Sequence, residues 1–161
     1  MKILALDPSL SSTGYTIIDS DKNILDVGKI IGNQKKSEEV RMYEIANAVR
    51  DLIEKWKVKK VVMESQFAFK NMKTVMQLSR LRGAIVYVCV PAEVEMFYLA
   101  PTEVRRFFMG KGTAKKKEVA DHIRENYMDL GEFDDSYKKK KNSDMYDSIA
   151  IGIAFLNKGE E

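Results

Sequence analysis

The stretch ILALDPSLSSTGYTIID, residues 3–19, decides the fold. Its first four residues are an apolar run that stops at Asp7-Pro8, which is typical of a buried strand that ends in a turn. Residues 14–18 are typical of a second strand, residues 19–23 of a polar turn, and residues 24–31 of a third strand. These short connections predict an antiparallel meander of three strands.

Helical and strand patterns alternate after the meander. Ser37 can cap a helix whose apolar stripe ends at Trp56, and residues 58–63 predict a fourth strand. Because a helix separates this strand from the first three, we expect a parallel crossover connection. A second helix is predicted from about Asn71 to Val90, followed by a fifth strand from Glu95 to Leu99. The residues predicted to share one face of the second helix are Met72, Val75, Met76, Ser79, Arg82 and Ile85.

The C-terminal part of the chain is predicted to be helical. Pro101-Thr102 opens a short helix, and Thr113 is predicted to cap the next one, whose apolar stripe ends at Tyr127. The charged residues 129–142 predict an irregular loop, and a last helix is predicted from Ser143 to about Asn157. The order of elements predicts an α/β fold, with a five-stranded mixed sheet flanked by helices.

Composition narrows the class of protein. A chain of 161 residues is long enough for a single domain with a hydrophobic core, which we expect to span residues 1–161. One cysteine cannot form an internal disulfide, and no Cys/His cluster suits a structural zinc ion, so we expect a cytoplasmic protein. No stretch approaches the length of a membrane span. The net charge of +3 does not by itself indicate a polyanionic partner, and the lysine runs 115–117 and 138–141 are each typical of a solvated surface.

Four acidic residues stand at places that matter for chemistry. Asp7 ends the first predicted strand and Glu64 the fourth, so parallel pairing of these strands would bring both carboxylates to one sheet edge. Asp144 and Asp147 lie three residues apart at the start of the last helix and therefore share a face. Converging carboxylates repel each other unless divalent cations neutralise them, and oxygen ligands without His or Cys favour Mg²⁺ or Mn²⁺. Taken singly, Asp7 could instead cap a turn, Glu64 could pair with a lysine, and Asp144 could cap the last helix.

The chain resembles the RuvC family of Holliday-junction resolvases in four segments that together span almost its whole length. The first is the strand and Asp-Pro turn of residues 3–9 with Thr13-Gly14, and the second is Glu64 with the phenylalanine and Lys-Asn that follow. The third is the Gly-x-Gly-x-Ala-x-Lys pattern of residues 110–116, and the fourth is the Asp-x-x-Asp helix of residues 144–150. The charged segment before that helix is similar to those of resolvases carried by bacteriophages.

The resemblance implies a ribonuclease H-like fold and a metal-dependent endonuclease. Such an enzyme resolves Holliday junctions and other branched DNA by paired symmetric nicks that leave 5′-phosphate and 3′-hydroxyl ends. The resemblance also implies two Mg²⁺ ions, replaceable by Mn²⁺, in the cytoplasm of a bacterial or phage-infected cell. The residues matched to metal ligands and catalytic groups are Asp7, Glu64, Asp144 and Asp147.

Contacts with DNA and with a second subunit are implied in the same way. Phe67 matches an aromatic that stacks on or wedges into the bases of the junction, although taken alone it is as typical of a partly buried loop. The basic residues matched to DNA contacts are Lys70, Arg105, Lys111, Lys115 and Lys116. A homodimer is implied because resolving a four-way junction needs two symmetric nicks. The predicted second helix is a candidate interface, with side chains Met72, Met76 and Leu78.

Two other functions are compatible with the same residues. One is a nuclease of the same fold that acts on another nucleic acid, such as pre-ribosomal RNA. The other is an ATP-binding module of the actin and sugar-kinase type, because Asp7 with residues 11–14 resembles a phosphate loop. That second group normally needs two such domains and a longer chain.

Overall fold

A computed structural model describes residues 1–65, 71–131 and 142–159, and within them the chain forms five strands and five helices. The elements are, in chain order, β1 Lys2–Asp7, β2 Ser12–Asp19, β3 Ile24–Ile31, α1 Glu38–Trp56, β4 Lys60–Glu64, α2 Met72–Cys89, β5 Glu95–Leu99, α3 Pro101–Met109, α4 Lys116–Asn126 and α5 Ser143–Lys158. The predicted order of strands and helices is confirmed. None of the described helices combines the length and apolar character that crossing a bilayer requires.

The strands form one mixed sheet in the order β3-β2-β1-β4-β5. Strand β1 pairs antiparallel with β2 and parallel with β4, and β4 pairs parallel with β5. The meander and the parallel crossover are therefore both confirmed. The crossover through α1 places β4 beside β1, in the middle of the sheet.

Helices cover both faces of the sheet because its strands bury alternate side chains on opposite sides. Leu4 and Leu6 of β1 belong to the core layer formed with α1 and α2. Ile3 and Ala5 of the same strand belong to the layer formed with α3, α4 and α5. This alternation directs the residue after Leu6, Asp7, towards the layer that contains α5.

Helix α1 follows the predicted pattern. The Ser37 side chain accepts a hydrogen bond from the backbone N–H of Val40, and Glu38 and Glu39 occupy the first turn, where the helix dipole favours negative charge. The buried residues of this helix form the predicted stripe, namely Met42, Ile45, Ala46, Val49 and Ile53.

The residues predicted to share one face of α2 are, apart from Ile85, not the ones that this helix buries. Met72 and Met76 are exposed, whereas the buried residues of this helix are Leu78, Leu81, Ile85 and Cys89. Leu78, predicted to be available for contact with another subunit, is only 8% exposed. Apolar residues occur on both sides of α2, so helical periodicity alone does not identify its inner face.

Two predictions about α4 are also wrong. The residue that caps this helix is Lys115 and not Thr113, because the Glu118 carboxylate accepts the backbone N–H of Lys115 at 2.6 Å. Tyr127, predicted to continue the apolar stripe, is the C-cap residue and is 40% exposed.

The predicted loop at residues 129–142 lies mostly outside the described residues. Residues 129–131 and 142, which are described, belong to no helix or strand. The lysine run 138–141 falls within the part that is not described.

Candidate active site

Asp7 and Glu64 lie at the carboxyl ends of two neighbouring parallel strands. The β1–β4 ladder pairs Leu6 with Met63, so the two acids are the next residues on their strands. Val62 belongs to the same core layer as Ala5, and the alternation of side chains therefore directs Glu64 and Asp7 to the same face of the sheet. The structure thus brings these two carboxylates to one edge and one side.

The turn after β1 is held by Thr13. Its hydroxyl donates a hydrogen bond to the backbone oxygen of Ser9 at 2.8 Å and accepts one from the Ser9 N–H at 3.1 Å. Thr13 is fully buried. These two bonds close the loop between Asp7 and β2, and they fix the backbone that follows the carboxylate.

Helix α5 approaches this edge at Gly14. Gly14 pairs with Asp7 in the sheet, and a Cβ placed on it would lie 2.0 Å from the backbone oxygen of Asp144. Only glycine lets the first turn of α5 come this close to β2. The Ser12 hydroxyl then donates a hydrogen bond to the Asp144 carboxylate, and the buried hydroxyls of Thr16 and Ser148 bond at 2.7 Å one turn further along α5.

Asp144 is therefore not the cap of α5, which was one alternative for it. The N-cap residue is Asn142, and Asp144 lies in the first turn of the helix. Its carboxylate accepts bonds from Ser12 and from the backbone N–H of Met145. Its side chain thus reaches across to β2.

Electrostatics links the four acids, Asp7, Glu64, Asp144 and Asp147, which we call the acidic cluster. Burial raises the pKa of Asp7 well above its ordinary value, and repulsion from Asp147, Glu64 and Asp144 raises it further. Burial also raises the pKa of Asp147, with an added repulsion from Asp144. Each of these carboxylates is therefore costly to ionise in the presence of the others.

Lys116, the first residue of α4, supplies the main opposing charge. Its ammonium lies 2.9 Å from the Asp147 carboxylate. Burial opposes the charge of Lys116, but the contact with Asp147 and the fields of Asp7 and Glu64 outweigh it and raise the lysine pKa. Lys116 was predicted to contact DNA phosphate or to be an ordinary surface lysine, and neither prediction included this ion pair, which joins residues 31 positions apart.

The donor set of the acidic cluster fits a hard divalent cation, because it consists of carboxylate oxygens that repel each other when ionised. Within the described ranges no three His, Cys, Asp or Glu side chains form a ready-made metal cage. Asp147 is instead paired with the Lys116 ammonium. The raised pKa values of Asp7 and Asp147 are the electrostatic cost that a bound cation would relieve.

The predicted DNA contacts other than Lys116 fall into three groups. Arg105 of α3 lies near the cluster, since its charge favours ionised Asp147. Lys111 and Lys115 belong to the loop before α4, where Lys111 contacts Glu118 at 3.0 Å. Phe67 and Lys70 lie outside the described residues, so their roles stay predictions.

Sequence reasoning missed two further residues at the site. Ser12 was read only as part of a motif, yet it contacts Asp144 across 132 positions of the chain. Arg82 was named only as one of the residues that share a face of α2, and it donates a hydrogen bond to the backbone oxygen of Glu64. A basic residue on a face with Met72, Val75, Met76 and Ile85 was the available signal for Arg82.

The fold and this arrangement define a class of protein. The sheet order with helices on both faces is that of the ribonuclease H-like proteins. A family model described as "Crossover junction endodeoxyribonuclease RuvC" matches residues 3–155. The chain belongs to this family of nucleases.

Individual relatives agree with this assignment. The chain is 34% identical to the crossover junction endodeoxyribonuclease RuvC of Prochlorococcus marinus strain MIT 9312 over 160 residues, which cover 98% of this chain and 97% of that protein. It is 29% identical to the RuvC of Fusobacterium nucleatum over 160 residues, covering 98% of this chain and 80% of that one.

Solved structures share the fold at lower identity. Thermus thermophilus RuvC superposes with a TM-score of 0.83 at 19% identity, covering 99% of this chain and 96% of that one. The same protein in complex with a Holliday junction substrate gives a TM-score of 0.82 at 19% identity, with coverages of 99% and 95%. The fowlpox virus Holliday junction resolvase gives 0.62 at 16% identity, with coverages of 98% and 99%.

Proposed function

We propose that this chain is a divalent-metal-dependent endonuclease that resolves Holliday junctions and other branched DNA by paired symmetric nicks. The proposal rests mainly on the convergence of the acidic cluster at one edge of the sheet. There its carboxylates interact electrostatically with the Lys116 ammonium. The products would carry 5′-phosphate and 3′-hydroxyl ends. Membership of the RuvC family favours this function over an RNA nuclease or an ATP-binding module.

The acidic cluster is proposed to hold two Mg²⁺ ions, with Mn²⁺ as a substitute. Such ions activate the attacking water and stabilise the leaving 3′ oxygen. Asp7 would hold these ions together with the other three acids, since the charges of all three raise the pKa of its carboxyl. Ser12 would keep the Asp144 carboxylate directed at the site through its hydrogen bond.

Basic residues beside the cluster are proposed to receive the DNA backbone. Lys116 and Arg105 lie close enough to Asp147 for their charges to lower its pKa, so a phosphate bound at the cluster would lie near both cations. Lys111 and Lys115, on the adjoining loop, are exposed and would contact phosphates further along the strand. Phe67 and Lys70 complete the proposed DNA-binding set on sequence grounds alone.

A synthetic four-way junction labelled on each strand in turn tests the proposal. We expect nicks at symmetric positions on two opposing strands with Mg²⁺ and none with EDTA. Asp7→Asn and Glu64→Gln should abolish nicking yet bind the junction as tightly or more tightly, since each removes a negative charge near phosphate. Asp51→Asn, at an exposed carboxylate of α1, is the matched control and should cut normally.

Two outcomes would contradict the proposal. Full cleavage by either acidic variant in Mg²⁺ would remove the assignment of the cluster. Preference for RNA over a junction, in a panel that includes flaps, forks and linear duplexes, would favour the alternative substrate class.

We also propose that the protein acts as a homodimer through the outer face of α2. Met76, Tyr87 and Val90 are 59%, 79% and 66% exposed, and an apolar groove lies between Tyr87, Val90 and Pro91. Exposed apolar side chains that cluster on one helix are typical of an interaction surface. The interface predicted from sequence keeps Met72 and Met76 but loses Leu78, which is buried.

Light scattering during gel filtration tests the dimer. Tyr87→Glu should lower the measured mass from two chains to one, because it places a charge in the apolar interface. Ile31→Glu is the matched control, since Ile31 is also exposed but ends β3, the edge strand opposite β5. A dimer that survives Tyr87→Glu together with Met76→Glu would exclude this interface.

A further inference from the structure

Arg82 approaches the acidic cluster from the opposite face of the sheet. It belongs to α2, which packs with α1 on the side away from α5. Its guanidinium donates a hydrogen bond to the backbone oxygen of Glu64 and lies 5.9 Å from the centre of the Tyr98 ring. Arg82 thus contacts the end of β4 without belonging to the cluster.

The peptide unit between Glu64 and Ser65 is held at both of its polar ends. Arg82 binds its carbonyl oxygen, and its N–H donates a 2.6 Å hydrogen bond to the backbone oxygen of Leu99 in β5. The β1–β4 ladder ends one residue earlier, at Leu6 and Met63. The β4–β5 ladder, which pairs Glu64 with Leu99, holds the N–H side of this peptide. Arg82 holds its carbonyl side beyond the end of the pairing with β1, and the two contacts together fix the plane of the peptide and the direction of the Glu64 side chain.

The Arg82 guanidinium is partly buried close to the charge of Glu64. Burial lowers the pKa of the Arg82 guanidinium, and the negative charge of Glu64 is among the groups that oppose this effect. Its Nε atom is buried and has no hydrogen-bond partner among the described residues. A buried donor left unpaired costs about 1–3 kcal/mol, so an apolar side chain at this position should not unfold the protein.

We infer that Arg82 is a positioning residue for Glu64, holding the end of β4 so that the Glu64 carboxylate meets the metal ions. The inference rests on the proposed function for its metal, and it concerns a residue whose hydrogen bond is to the backbone of Glu64. Arg80, two residues earlier on α2, provides the contrast. It is half exposed and pairs with Glu38 and Glu39 of α1, at 3.6 and 3.1 Å.

The experiment compares Arg82→Met, Arg82→Lys and the matched control Arg80→Met. Mg²⁺ affinity is measured without DNA, from the rise of Tm with Mg²⁺ concentration and by calorimetry. The single-turnover rate of junction cleavage and the Kd for the junction in Ca²⁺ are measured in parallel. Loss of a partner that orients a metal ligand typically weakens metal binding or activity by about 10- to 100-fold.

We expect Arg82→Met to bind Mg²⁺ at least about tenfold more weakly, with junction affinity unchanged. Arg82→Lys should recover part of the loss, because it retains one donor and the charge. Arg80→Met should match the wild type. Removing the Arg82 cation also removes its repulsion of Mg²⁺, and this effect by itself would strengthen Mg²⁺ binding. A weaker Mg²⁺ affinity therefore shows that the Glu64 carboxylate has lost its position, and not that the site has lost a charge.

Three results would overturn the inference. Unchanged or tighter Mg²⁺ binding by Arg82→Met would exclude a positioning role. A lower Tm without Mg²⁺ and an unchanged Mg²⁺ affinity would make Arg82 merely structural. A loss confined to junction affinity would make it a phosphate contact. If the wild type binds Mg²⁺ but cuts no junction, the proposed function fails while the Mg²⁺ comparison still decides on Arg82.

Discussion

Substitution of Gly14 by alanine is expected to move the two acids of α5, Asp144 and Asp147, away from the two acids of the sheet, Asp7 and Glu64. The new methyl group would lie 2.0 Å from the backbone oxygen of Asp144 and 2.3 Å from its carbonyl carbon. Neither atom belongs to a flexible side chain that could turn away. The contact can be relieved only if the first turn of α5 moves away from β2.

The size of that movement follows from the geometry. Ordinary contacts of a Cβ begin at 3.4 Å, so the Asp144 oxygen must retreat by about 1.4 Å. Helix α5 carries Asp144 and Asp147 with it, whereas Asp7 stays in the sheet. A misplacement of about 1 Å at a catalytic site can cost about 100-fold in rate, and forced overpacking costs about 1–3 kcal/mol of stability. For a chain of this size each kcal/mol lowers Tm by roughly 2–4 °C.

Single-turnover cleavage of a four-way junction and thermal unfolding measure both effects. Gly159→Ala is the matched control, because Gly159 caps the other end of α5 and a Cβ there would lie 3.5 Å from its nearest neighbour, the Leu156 backbone oxygen. We expect Gly14→Ala to lose about 100-fold in rate and the control to change little. A rate for Gly14→Ala within threefold of the wild type would refute the reasoning that α5 must touch β2 for the site to form.

Three further variants test the electrostatics of the site. In EDTA at pH 7, Asp7→Asn should unfold at a higher temperature than the wild type. The pKa of Asp7 is raised in the folded protein, so the contribution of its carboxyl to stability is fully present only below the unfolded pKa of about 3.9 and is lost as pH rises through the folded pKa. The rise in Tm caused by Asp7→Asn should therefore shrink towards pH 4. A rise in Tm that does not depend on pH would contradict the raised pKa as its cause. Lys116→Met should lower Tm in EDTA by the equivalent of about 1 kcal/mol, and Mg²⁺ should restore most of it, whereas the neighbouring Lys117→Met should have no effect. Ser12→Ala should raise the Mg²⁺ concentration needed for half-maximal cleavage, and an unchanged requirement would show that its bond to Asp144 has no part in metal binding.

Local sequence patterns were enough to predict the strands and their order along the chain. An apolar run that stops at Asp7, and another that stops at Glu64, mark the ends of β1 and β4 because buried strands need continuous apolar sequence. The helix between β3 and β4 indicates a parallel crossover but not which strand of the meander β4 pairs with. The shared edge of the two acids was therefore predicted on the condition that β4 pairs with β1, and the structure shows that pairing.

Other features depend on contacts that sequence patterns do not record. The cap of α4 was misplaced because threonine is a good cap residue, while Glu118, three residues after Lys115, decides the start of the helix. The buried face of α2 could not be told from its exposed face because apolar residues lie on both. The contacts of Ser12 with Asp144 and of Arg82 with Glu64 span 132 and 18 positions, and only the folded chain brings these residues together.

The burial of α5 has a consequence for how this protein unfolds. Most residues from Tyr146 to Ala154 are buried, and a Cβ on Gly152 would already lie 3.2 Å from the Cβ of Ala5. A helix packed this way cannot fray into solvent while the sheet remains intact. Backbone amides from Tyr146 to Ala154 should therefore exchange with deuterium only when the whole molecule opens, and a compact species in which this part of α5 alone has unfolded should not accumulate.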